Sequence, residues 1–461
     1  MKKTEIIDHL EKMREELLFS APASAPVSIA AYAFLVRSEN GRRVWTDALQ
    51  KALIENECVL IEPCDETYYI DAPVTVPSRR RIIARGARIE LTPGCETLML
   101  RNEHVTDGSA APEDQSIAPD EGIFIEGGTW ADCESVRRGY GSTGKFEKDG
   151  YLEGVTTLLL FSNVKNLLLR DLTFVHTSAF SVQIGNAERV CAENIRFERC
   201  FADGVHLNGN VRDILVRDIS GYVGDDLVAL NPYDWDNSGI NFGPAERILI
   251  DGVFSSPDSP YKAIRMLPAV YKYADGSTVN CAINDLVLRR VKGILSYKLY
   301  LQTDAYLTAP AHPADVGSCG DMYFEDLDID LNRQIDGGLY EGVRHTPGYN
   351  IFGAFEVLAN AEKLEFENIR LRLHKEDYPE SCLVSIGPKS MTGGRGEEVF
   401  DPYLSCHVGE VVLRGITVNG SPAADPADLV RVIEMTPNPD WPRTKPRGGY
   451  GKGSVGKITV E

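Results

Sequence analysis

The chain has 461 residues, of which 43% are hydrophobic, enough for one large elongated domain or roughly two to three compact ones. Its 48 Lys and Arg residues against 68 Asp and Glu residues give a net charge of −20. Nucleic acids and anionic membrane surfaces are bound through basic patches, so this charge argues against both as partners.

The N-terminal segment MKKTEIIDHLEKMREELL predicts an amphipathic helix, because Ile6, Leu10, Met13 and Leu17 share one helical face. Charged residues interrupt the region where an export signal has its apolar run, and no apolar run is long enough to span a membrane. The ten cysteines include no CxxC pair, which argues against a zinc site. We therefore expect a cytoplasmic protein with reduced thiols, no metal and no other cofactor.

The segment WTDALQKALIENECVLIEP predicts a second helix that runs into a strand. A helix at this point would cover the unpaired strand edge at the start of a solenoid. We therefore assign residues 1–50 to an N-terminal helical cap and residues 51–461 to a single catalytic domain.

A short phrase, charged and then apolar, recurs eight times along the second unit. Its apolar anchors are Leu172, Ile195, Ile219, Val253, Val291, Leu327, Ile369 and Ile416, at intervals of 23, 24, 34, 38, 36, 42 and 47 residues. The helical patterns that a TIM barrel or a doubly wound sheet needs between strands are missing. The repeat therefore predicts an all-β fold, a single-stranded right-handed parallel β-helix whose longer coils carry inserted loops.

Two near-copies of one pattern lie in neighbouring predicted coils. They are ADGVHLN at 202–208 and DDLVALN at 225–231, 23 residues apart. The repeat stacks Asp203 beside Asp226, with Asp225 next to them. Because crowded carboxylates repel one another, acid/base chemistry is one reason to place three together. The competing interpretation is turn chemistry, since Asp-Gly and Gly-Asp are common in turns.

The sequence FADG followed about one coil later by GDD resembles glycoside hydrolase family 28, the polygalacturonase-like enzymes with a pectin-lyase-like solenoid. The resemblance runs from about Asp71 to Leu301 and includes IFIEGGTW at 123–130. It implies an inverting hydrolysis of a glycosidic bond. Asp225 would be the general acid, and Asp203 and Asp226 would hold the attacking water.

The chain departs from the family pattern at two basic motifs. PDSPYK at 257–262 stands where the family has Gly-His-Gly, and Tyr300-Leu301-Gln302 stands where it has Arg-Ile-Lys. In the family these basic residues would bind a uronate carboxylate. We therefore expect an oligosaccharide substrate that is not necessarily a galacturonide.

Strand alternation predicts an outward column of polar side chains beside the carboxylates. With Val205, Leu207 and their counterparts pointing inward, the column consists of Gln183, His206, Ala229, Arg265 and Tyr300, with Lys298 one step away. Strict alternation would turn Asp203 and Asp226 inward, so each strand is expected to begin after its aspartate.

Two loop residues complete the candidate substrate-binding set, which consists of Gln183, His206, Trp235, Lys262, Arg265, Lys298 and Tyr300. Trp235 can stack on a sugar ring or anchor its loop in the core. His206 can bind substrate, tune a pKa or be a solvated strand residue. Lys262 and Arg265 can contact substrate or be ordinary surface charges.

Three classes of function fit these residues, since a fold does not fix a function. The first is a hydrolase acting on an oligosaccharide. The second is a lyase, an epimerase or an intramolecular glycosyl transferase on the same scaffold. A lyase would use Lys262 or Arg265 as a base, and the three aspartates could hold Ca²⁺ for it. The third is a non-catalytic carbohydrate-binding solenoid, for which changing Asp225 would not alter any turnover.

Overall fold

The structure is a computed structural model. It describes residues 1–95, 97–105, 117–132, 157–234, 239–272, 276–300, 316–332, 353–387, 405–434 and 451–461. Within these ranges the helices are α1 (Lys3–Ser20), α2 (Thr46–Glu55), α3 (Pro426–Leu429) and a 3₁₀ helix (Ile29–Leu35). None of these helices is long and apolar enough to cross a membrane.

Strands make up most of the described chain. The first sixteen are β1 (Val27–Ser28), β2 (Arg37–Glu39), β3 (Arg42–Val44), β4 (Cys58–Leu60), β5 (Tyr68–Ile70), β6 (Val74–Val76), β7 (Arg80–Ile83), β8 (Arg88–Leu91), β9 (Leu100–Asn102), β10 (Asp120–Glu126), β11 (Thr129–Ala131), β12 (Thr157–Arg170), β13 (Thr173–Val175), β14 (Phe180–Glu198), β15 (Val205–Asn208) and β16 (Val211–Gly221). The others are β17 (Val228–Asn231), β18 (Ala245–Ser255), β19 (Ala263–Met266), β20 (Ala269–Lys272), β21 (Thr278–Cys281), β22 (Ile283–Lys292), β23 (Ser296–Tyr300), β24 (Ser318–Leu331), β25 (Gly353–Leu358), β26 (Asn360–Leu373), β27 (Cys382–Ile386), β28 (Cys406–Arg414), β29 (Thr417–Val418), β30 (Ser421–Pro422), β31 (Val430–Val432) and β32 (Gly453–Val460).

Parallel pairing between successive coils builds three faces, so the chain forms a right-handed parallel β-helix. The site face contains β6, β9, the first parts of β12 and β14, and then β15, β17, β19, β23, β25, β27 and β31. The second face, which we call the helix face because helix α1 packs on its outside, runs from β4 and β7 through β10 and the middle of β14 to β28 and β32. The third face includes β5, β8, β11, β13 and the last part of β14. Long strands such as β14 bend through a corner and contribute to more than one face.

The recurring phrase of the sequence marks one corner of every coil. All eight apolar anchors are buried, and those from Ile195 to Ile369 pair directly from coil to coil. The residue before each anchor has a positive φ of 51° to 85°. These corner residues are Asp171, Asn194, Asp218, Gly252, Arg290, Asp326, Asn368 and Gly415. Gly, Asn and Asp tolerate this left-handed conformation best, which explains why the phrase carries them there.

The core fills the interior of the coils from end to end. Helix α2 joins this core at the N-terminal end through Ala48, Leu49, Ala52 and Leu53 and contacts β4 and β6. It thereby caps the first coil, as its position in the sequence predicted. Inward residues of neighbouring coils stack in register, as Phe174 does on Phe197 with ring centroids 5.5 Å apart.

Helix α1 also belongs to the segment assigned to the cap, but it lies along the outside of the helix face. Its four apolar residues, Ile6, Leu10, Met13 and Leu17, are buried against a column of outward apolar side chains. That column consists of Phe124, Leu168, Cys191, Leu215, Leu249, Val287 and Tyr323. The helix therefore covers a hydrophobic stripe that spans seven coils, and it keeps that stripe out of water.

Next to this stripe, the helix face carries a column of charges that we call the charge ladder. Its members, in coil order, are Glu126, Arg170, Glu193, Arg217, Asp251, Arg289, Glu325, Glu367 and Arg414. The sign alternates except where Glu325 meets Glu367. There Lys3 of helix α1 lies between them, with its Nζ 3.2 Å from Glu325 and 2.5 Å from Glu367.

Candidate active site

Asp203 and Asp226 lie in two stacked turns, each just before a strand of the site face. Strand β15 begins at Val205 and β17 at Val228, so each aspartate precedes its strand, as the alternation predicted. The backbone N–H of Asp226 donates to Asp203 Oδ1 at 3.2 Å, and the N–H of Gly204 donates to the Asp226 carbonyl at 3.0 Å. The coil spacing therefore brings the two carboxyl groups together.

The glycine of each motif permits this close stacking of turns. A Cβ on Gly204 would lie 2.6 Å from the carbonyl oxygen of Leu227 and 2.8 Å from the ring of Phe197. A Cβ on Gly224 would clash in the same way with the backbone of Phe201. Any side chain at these positions would push one coil away from the next and separate the aspartates.

Asp203, Asp225 and Asp226 form a buried trio of carboxylates. One oxygen from each lies within 4.8 Å of the others, and the exposed fraction of each residue is 3% or less. Arg265 of β19 supplies a counter-charge. Its Nε lies 3.1 Å from Asp226 Oδ2, and its Nη2 lies 3.5 Å from Asp225 Oδ1.

Burial and mutual repulsion keep protons in this trio. Burial raises the pKa of Asp226 well above its usual value, although Arg265 opposes the shift. Burial also raises the pKa of Asp203, the negative charge of Asp225 adds to the rise, and His206 opposes it. Because the three carboxyl groups interact strongly, their proton uptake is coupled, so one member can hold a proton while another is ionised.

His206 lies between two carboxylates. Its Nδ1 lies 2.6 Å from Asp203 Oδ2, and its Nε2 lies 2.7 Å from Asp234 Oδ2 and 3.3 Å from Asn208 Nδ2. The ring stacks on Phe180, with centroids 4.3 Å apart and 12° between the planes. Burial favours the neutral imidazole, but Asp234 and Asp203 outweigh it and raise the pKa of His206 to about 10.

Asp234, in the loop after β17, was missed by the sequence interpretation. It accepts hydrogen bonds from Asn208 Nδ2 at 3.1 Å and from Asn231 Nδ2 at 3.3 Å, besides its contact with His206 Nε2. The two asparagines end the two near-copies of the motif and pair in register. That repeated asparagine was the signal in the sequence for a shared acceptor, but nothing near Asp234 in the sequence identifies the acceptor itself.

The outward column is present, with one correction of register. Gln183, His206, Ala229 and Arg265 are aligned as predicted, but the residue beside Arg265 is Lys298 and not Tyr300. The prediction placed the strand two residues too far along, because Tyr297 and Leu299 both point into the core and mimic the expected apolar pair. The backbone of Tyr300 pairs with Leu358 at the end of β23.

Two cations of the column meet at a tyrosine that the sequence interpretation missed. Lys298 Nζ donates to the hydroxyl of Tyr261 at 2.6 Å, and Arg265 Nη2 donates to the same oxygen at 3.0 Å. All three side chains are buried. Glu356 follows Lys298 in the column and is buried as well. The column therefore holds a dense set of charges in a dry environment.

The other predicted binding residues are placed differently. Gln183 is buried, and its Nε2 donates to Asn208 Oδ1 at 2.8 Å, which supports the asparagine that holds Asp234. Lys262 is half-buried, and its Nζ donates to the carbonyl of Pro257 at 2.8 Å. Trp235 lies outside the described residues.

The fold is similar to those of several solved structures at low sequence identity. An exopolygalacturonase from Thermotoga maritima has 11% identity and a TM-score of 0.47, with 98% of this chain and 96% of that chain covered. A polygalacturonase from Erwinia carotovora ssp. carotovora has the same identity and TM-score, with 90% and 98% covered. PfbA, a surface adhesin of Streptococcus pneumoniae, has 9% identity and a TM-score of 0.40, with 95% and 92% covered.

Polygalacturonases are thus among the similar structures, as the FADG and GDD motifs predicted. No protein-family model and no curated protein matches the sequence. Likeness at these values says nothing about the reaction, so the site must be judged by its own geometry.

Proposed function

We propose that this protein is a glycoside hydrolase that cleaves an oligosaccharide, with Asp203, Asp225 and Asp226 as its catalytic residues. The observation that carries the proposal is the buried trio, whose nearest oxygens lie within 4.8 Å of one another. Hydrolysis of a glycosidic bond needs one group that donates a proton and one that accepts a proton from water. Strongly coupled carboxylates with raised pKa values provide both.

In the proposed reaction Asp225 protonates the glycosidic oxygen as the bond to the anomeric carbon breaks. Asp203 and Asp226 hold a water that attacks this carbon from the opposite face and takes up its proton. A water bonded to two carboxylates needs their oxygens no more than about 5.5 Å apart, which the trio satisfies. The anomeric configuration would be inverted.

The spacing differs from that of most inverting enzymes. These usually hold two carboxyl groups about 6.5–9.5 Å apart, and retaining enzymes hold them about 5–5.5 Å apart. With three carboxylates the water is shared by two of them, so room for it does not depend on one wide gap. The stereochemistry of the product is therefore the decisive observable.

The substrate is proposed to be an oligosaccharide, not necessarily a galacturonide. Arg265 contacts Asp225 and Asp226, and the positive charge of Lys298 also lowers the pKa of Asp226, so both cations already balance charge within the protein. Such pairing lets them tune the trio without a substrate carboxylate.

The test is product analysis against a panel of neutral and acidic oligosaccharides. Wild type should release reducing sugar, and the Asp225→Asn variant should lose activity most on substrates with poor leaving groups. Asp218→Asn is a matched control, because Asp218 is an exposed corner acid at a position that Asn194 occupies one coil earlier. Sugar binding without cleavage by wild type would instead favour a non-catalytic solenoid.

The anomeric configuration of the first-formed product is read by NMR. Inversion supports the three-carboxylate mechanism. Retention would leave the carboxylates in place but would rule out a single displacement by water.

One observation favours a second candidate, an eliminating lyase. The hydroxyl oxygen of Tyr261 accepts hydrogen bonds from both Arg265 and Lys298, and such an oxygen is oriented to act as a base. Such a group could remove the proton next to a substrate carboxylate, while a cation stabilises the carbanion. The C–O bond at the neighbouring carbon would then break to form the double bond, and the leaving oxygen would take a proton from a carboxylic acid of the trio. An ultraviolet-absorbing unsaturated product would identify this reaction, and a saturated product with a new reducing end would exclude it.

A further inference from the structure

We infer that His206 is a positioning residue: held as an imidazolium between Asp203 and Asp234, it fixes Asp203 as the ionised member of the trio. Asp203 is then the group that accepts the proton of the attacking water. The inference rests on the proposed function, since it identifies the base of that reaction.

The geometry requires two protons along the row of Asp203, His206 and Asp234. Each ring nitrogen of His206 lies within 2.7 Å of a carboxylate oxygen, and an ionised carboxylate only accepts hydrogen bonds. When both protons are on the ring, the imidazole is a cation. Phe180 stacks on its face and fixes the ring plane, so the cation cannot turn away from Asp203.

Among the described residues, charged groups surround His206 from several elements. Asp203 comes from its own turn, Asp225 and Asp226 from the next turn, Asp234 from the loop after β17, Arg265 from β19, and Lys298 from β23 beyond Arg265. These four acids outnumber the two cations, so the surroundings favour a positive ring. The pKa of about 10 for His206 agrees with this geometry.

The cation singles out Asp203 from the other two acids. Asp203 Oδ2 accepts from His206, and its Oδ1 accepts from the backbone N–H of Asp226 at 3.2 Å. Hydrogen bonds to both oxygens stabilise the ionised form. The proton that repulsion retains in the trio is therefore carried by Asp225 or Asp226, which suits the proposed acid role of Asp225.

An alternative proton arrangement makes the inference falsifiable. If the proton on Nδ1 moves to Asp203, His206 is neutral and Asp203 is a carboxylic acid. Asp203 would then be suited to donate a proton, and Asp225 or Asp226 would be the base. The two arrangements differ in the charge of His206 and in the pH range over which Asp203 titrates.

The first measurement is NMR of protein labelled with ¹⁵N at histidine, without substrate. The His206 signals are assigned by their loss in His206→Gln. Both ring nitrogens should remain protonated from about pH 6 to about pH 9, above the usual histidine pKa of about 6.5. A neutral His206 ring at pH 7 would overturn the inference.

The second measurement follows the Asp203 carboxyl by ¹³C NMR in wild type, His206→Gln and Asp234→Asn. Glutamine keeps a donor but has no charge, so the Asp203 titration should move upward by about one pH unit, the shift a single nearby charge produces. Asp234→Asn weakens the cation from its other side and should give a smaller shift of the same sign. It also tests the inference if His206→Gln does not fold. His9→Gln, which loses a 2.8 Å contact to Asp213 on the helix face, is the matched control and should give no shift.

The third measurement is the pH profile of kcat/KM. A base must be ionised to act, and in His206→Gln the carboxylate of Asp203 loses the positive charge that stabilises it. The acidic limb of the profile should therefore move to higher pH by the same amount as the Asp203 titration. Activity should then fall about tenfold below that limb and recover above it. An unchanged profile, or a shift of the basic limb instead, would overturn the inference. The NMR measurements need no substrate, so they decide the inference even if wild type hydrolyses nothing and the proposed function fails.

Discussion

The helix face and the site face shift the pKa values of their buried acids in opposite directions. On the helix face each acid of the charge ladder meets arginines. Burial opposes ionisation of Glu126, yet hydrogen bonds from Arg170 and Arg81 hold its pKa below the usual value. Burial likewise opposes ionisation of Asp251, and hydrogen bonds from Arg290 and Arg289 lower its pKa. On the site face, burial raises the pKa of Asp203 and Asp226, and the neighbouring acids add to the rise.

The difference shows what coil register does for an acid. A carboxylate stacked on a cation in the next coil is held ionised and stabilises the fold. A carboxylate stacked on another carboxylate is held near protonation and costs stability, which marks it for chemistry. Strand β14 belongs to both faces, with Glu193 in the charge ladder and Gln183 in the polar column beside the trio. Four predictions test this contrast.

The largest expected effect is on activity. Asp203→Asn, Asp225→Asn and Asp226→Asn should each lower turnover by at least about 10²-fold, because each removes a charge and a proton-transfer group. Urea unfolding of the Asp226 variant should show unchanged or increased stability, since repulsion is relieved, whereas the Asp203 variant should lose stability, because His206 loses the charge of its partner. Near-normal turnover in all three folded variants would place the site elsewhere on the solenoid.

The next effect is on stability alone. Leu10 of helix α1 is fully buried against the helix face, so Leu10→Ala should lower the free energy of unfolding by about 3 kcal/mol. Turnover should be unchanged at temperatures where the variant is folded, because α1 contacts the helix face. Lys12→Ala, at an exposed position of the same helix, is the matched control. Equal losses in both variants would mean that the apolar contact is not the cause.

The ladder acid gives the counterpart of the first prediction. Glu126→Gln leaves Arg81, Arg85 and Arg170 without their shared carboxylate. The cost should be about 2 kcal/mol, below the roughly 3–5 kcal/mol for fully buried pairs, because the arginines reach water. Denaturant unfolding of the variant and of wild type measures this difference in the free energy of unfolding. Turnover on any substrate should not change. A loss of turnover with intact stability would break the division between the two faces.

The smallest effect is a pH dependence of opposite sign on the two faces. Asp226 has a raised folded pKa, so the Asp226→Asn variant should gain stability relative to wild type as the pH rises above about 4, the usual pKa of an unfolded aspartate. Asp251 has a lowered folded pKa, so wild type should be more stable than the Asp251→Asn variant at pH 7. This difference in stability should vanish as the pH falls through that pKa. Denaturant unfolding between pH 3 and pH 8 gives the stability of each variant relative to wild type. If this relative stability changes with pH in the same direction for both variants, the contrast between the two faces is wrong.

Much of the fold could be predicted from the sequence, because each coil repeats a local rule. The corner residue before each apolar anchor needs a left-handed conformation, and this requirement produced the readable Asp, Asn and Gly. The same spacing stacked Asp203 beside Asp226. The position of helix α1 was not readable, because an amphipathic pattern gives the apolar face but not the surface it covers.

The site was predicted less completely because its other members come from irregular segments. Asp234 and Tyr261 precede or follow strands, where no periodicity fixes the direction of a side chain. The strand that carries Lys298 was placed two residues out of register, because the apolar residues of β23 allow two registers. Only the pairing with β19 decides between them.

Helix α1 has a consequence for the order in which the chain folds. Its N-terminal ammonium contacts Asp285, and Lys3 contacts Glu325 and Glu367. During synthesis the first helix must therefore wait until more than 360 further residues have emerged before its docking surface is complete. Contacts of such long separation form late and slow folding, so the coils should assemble first and the helix should close over them last. Helix α1 is made before the coils, yet it would be the last of these elements to pack in place.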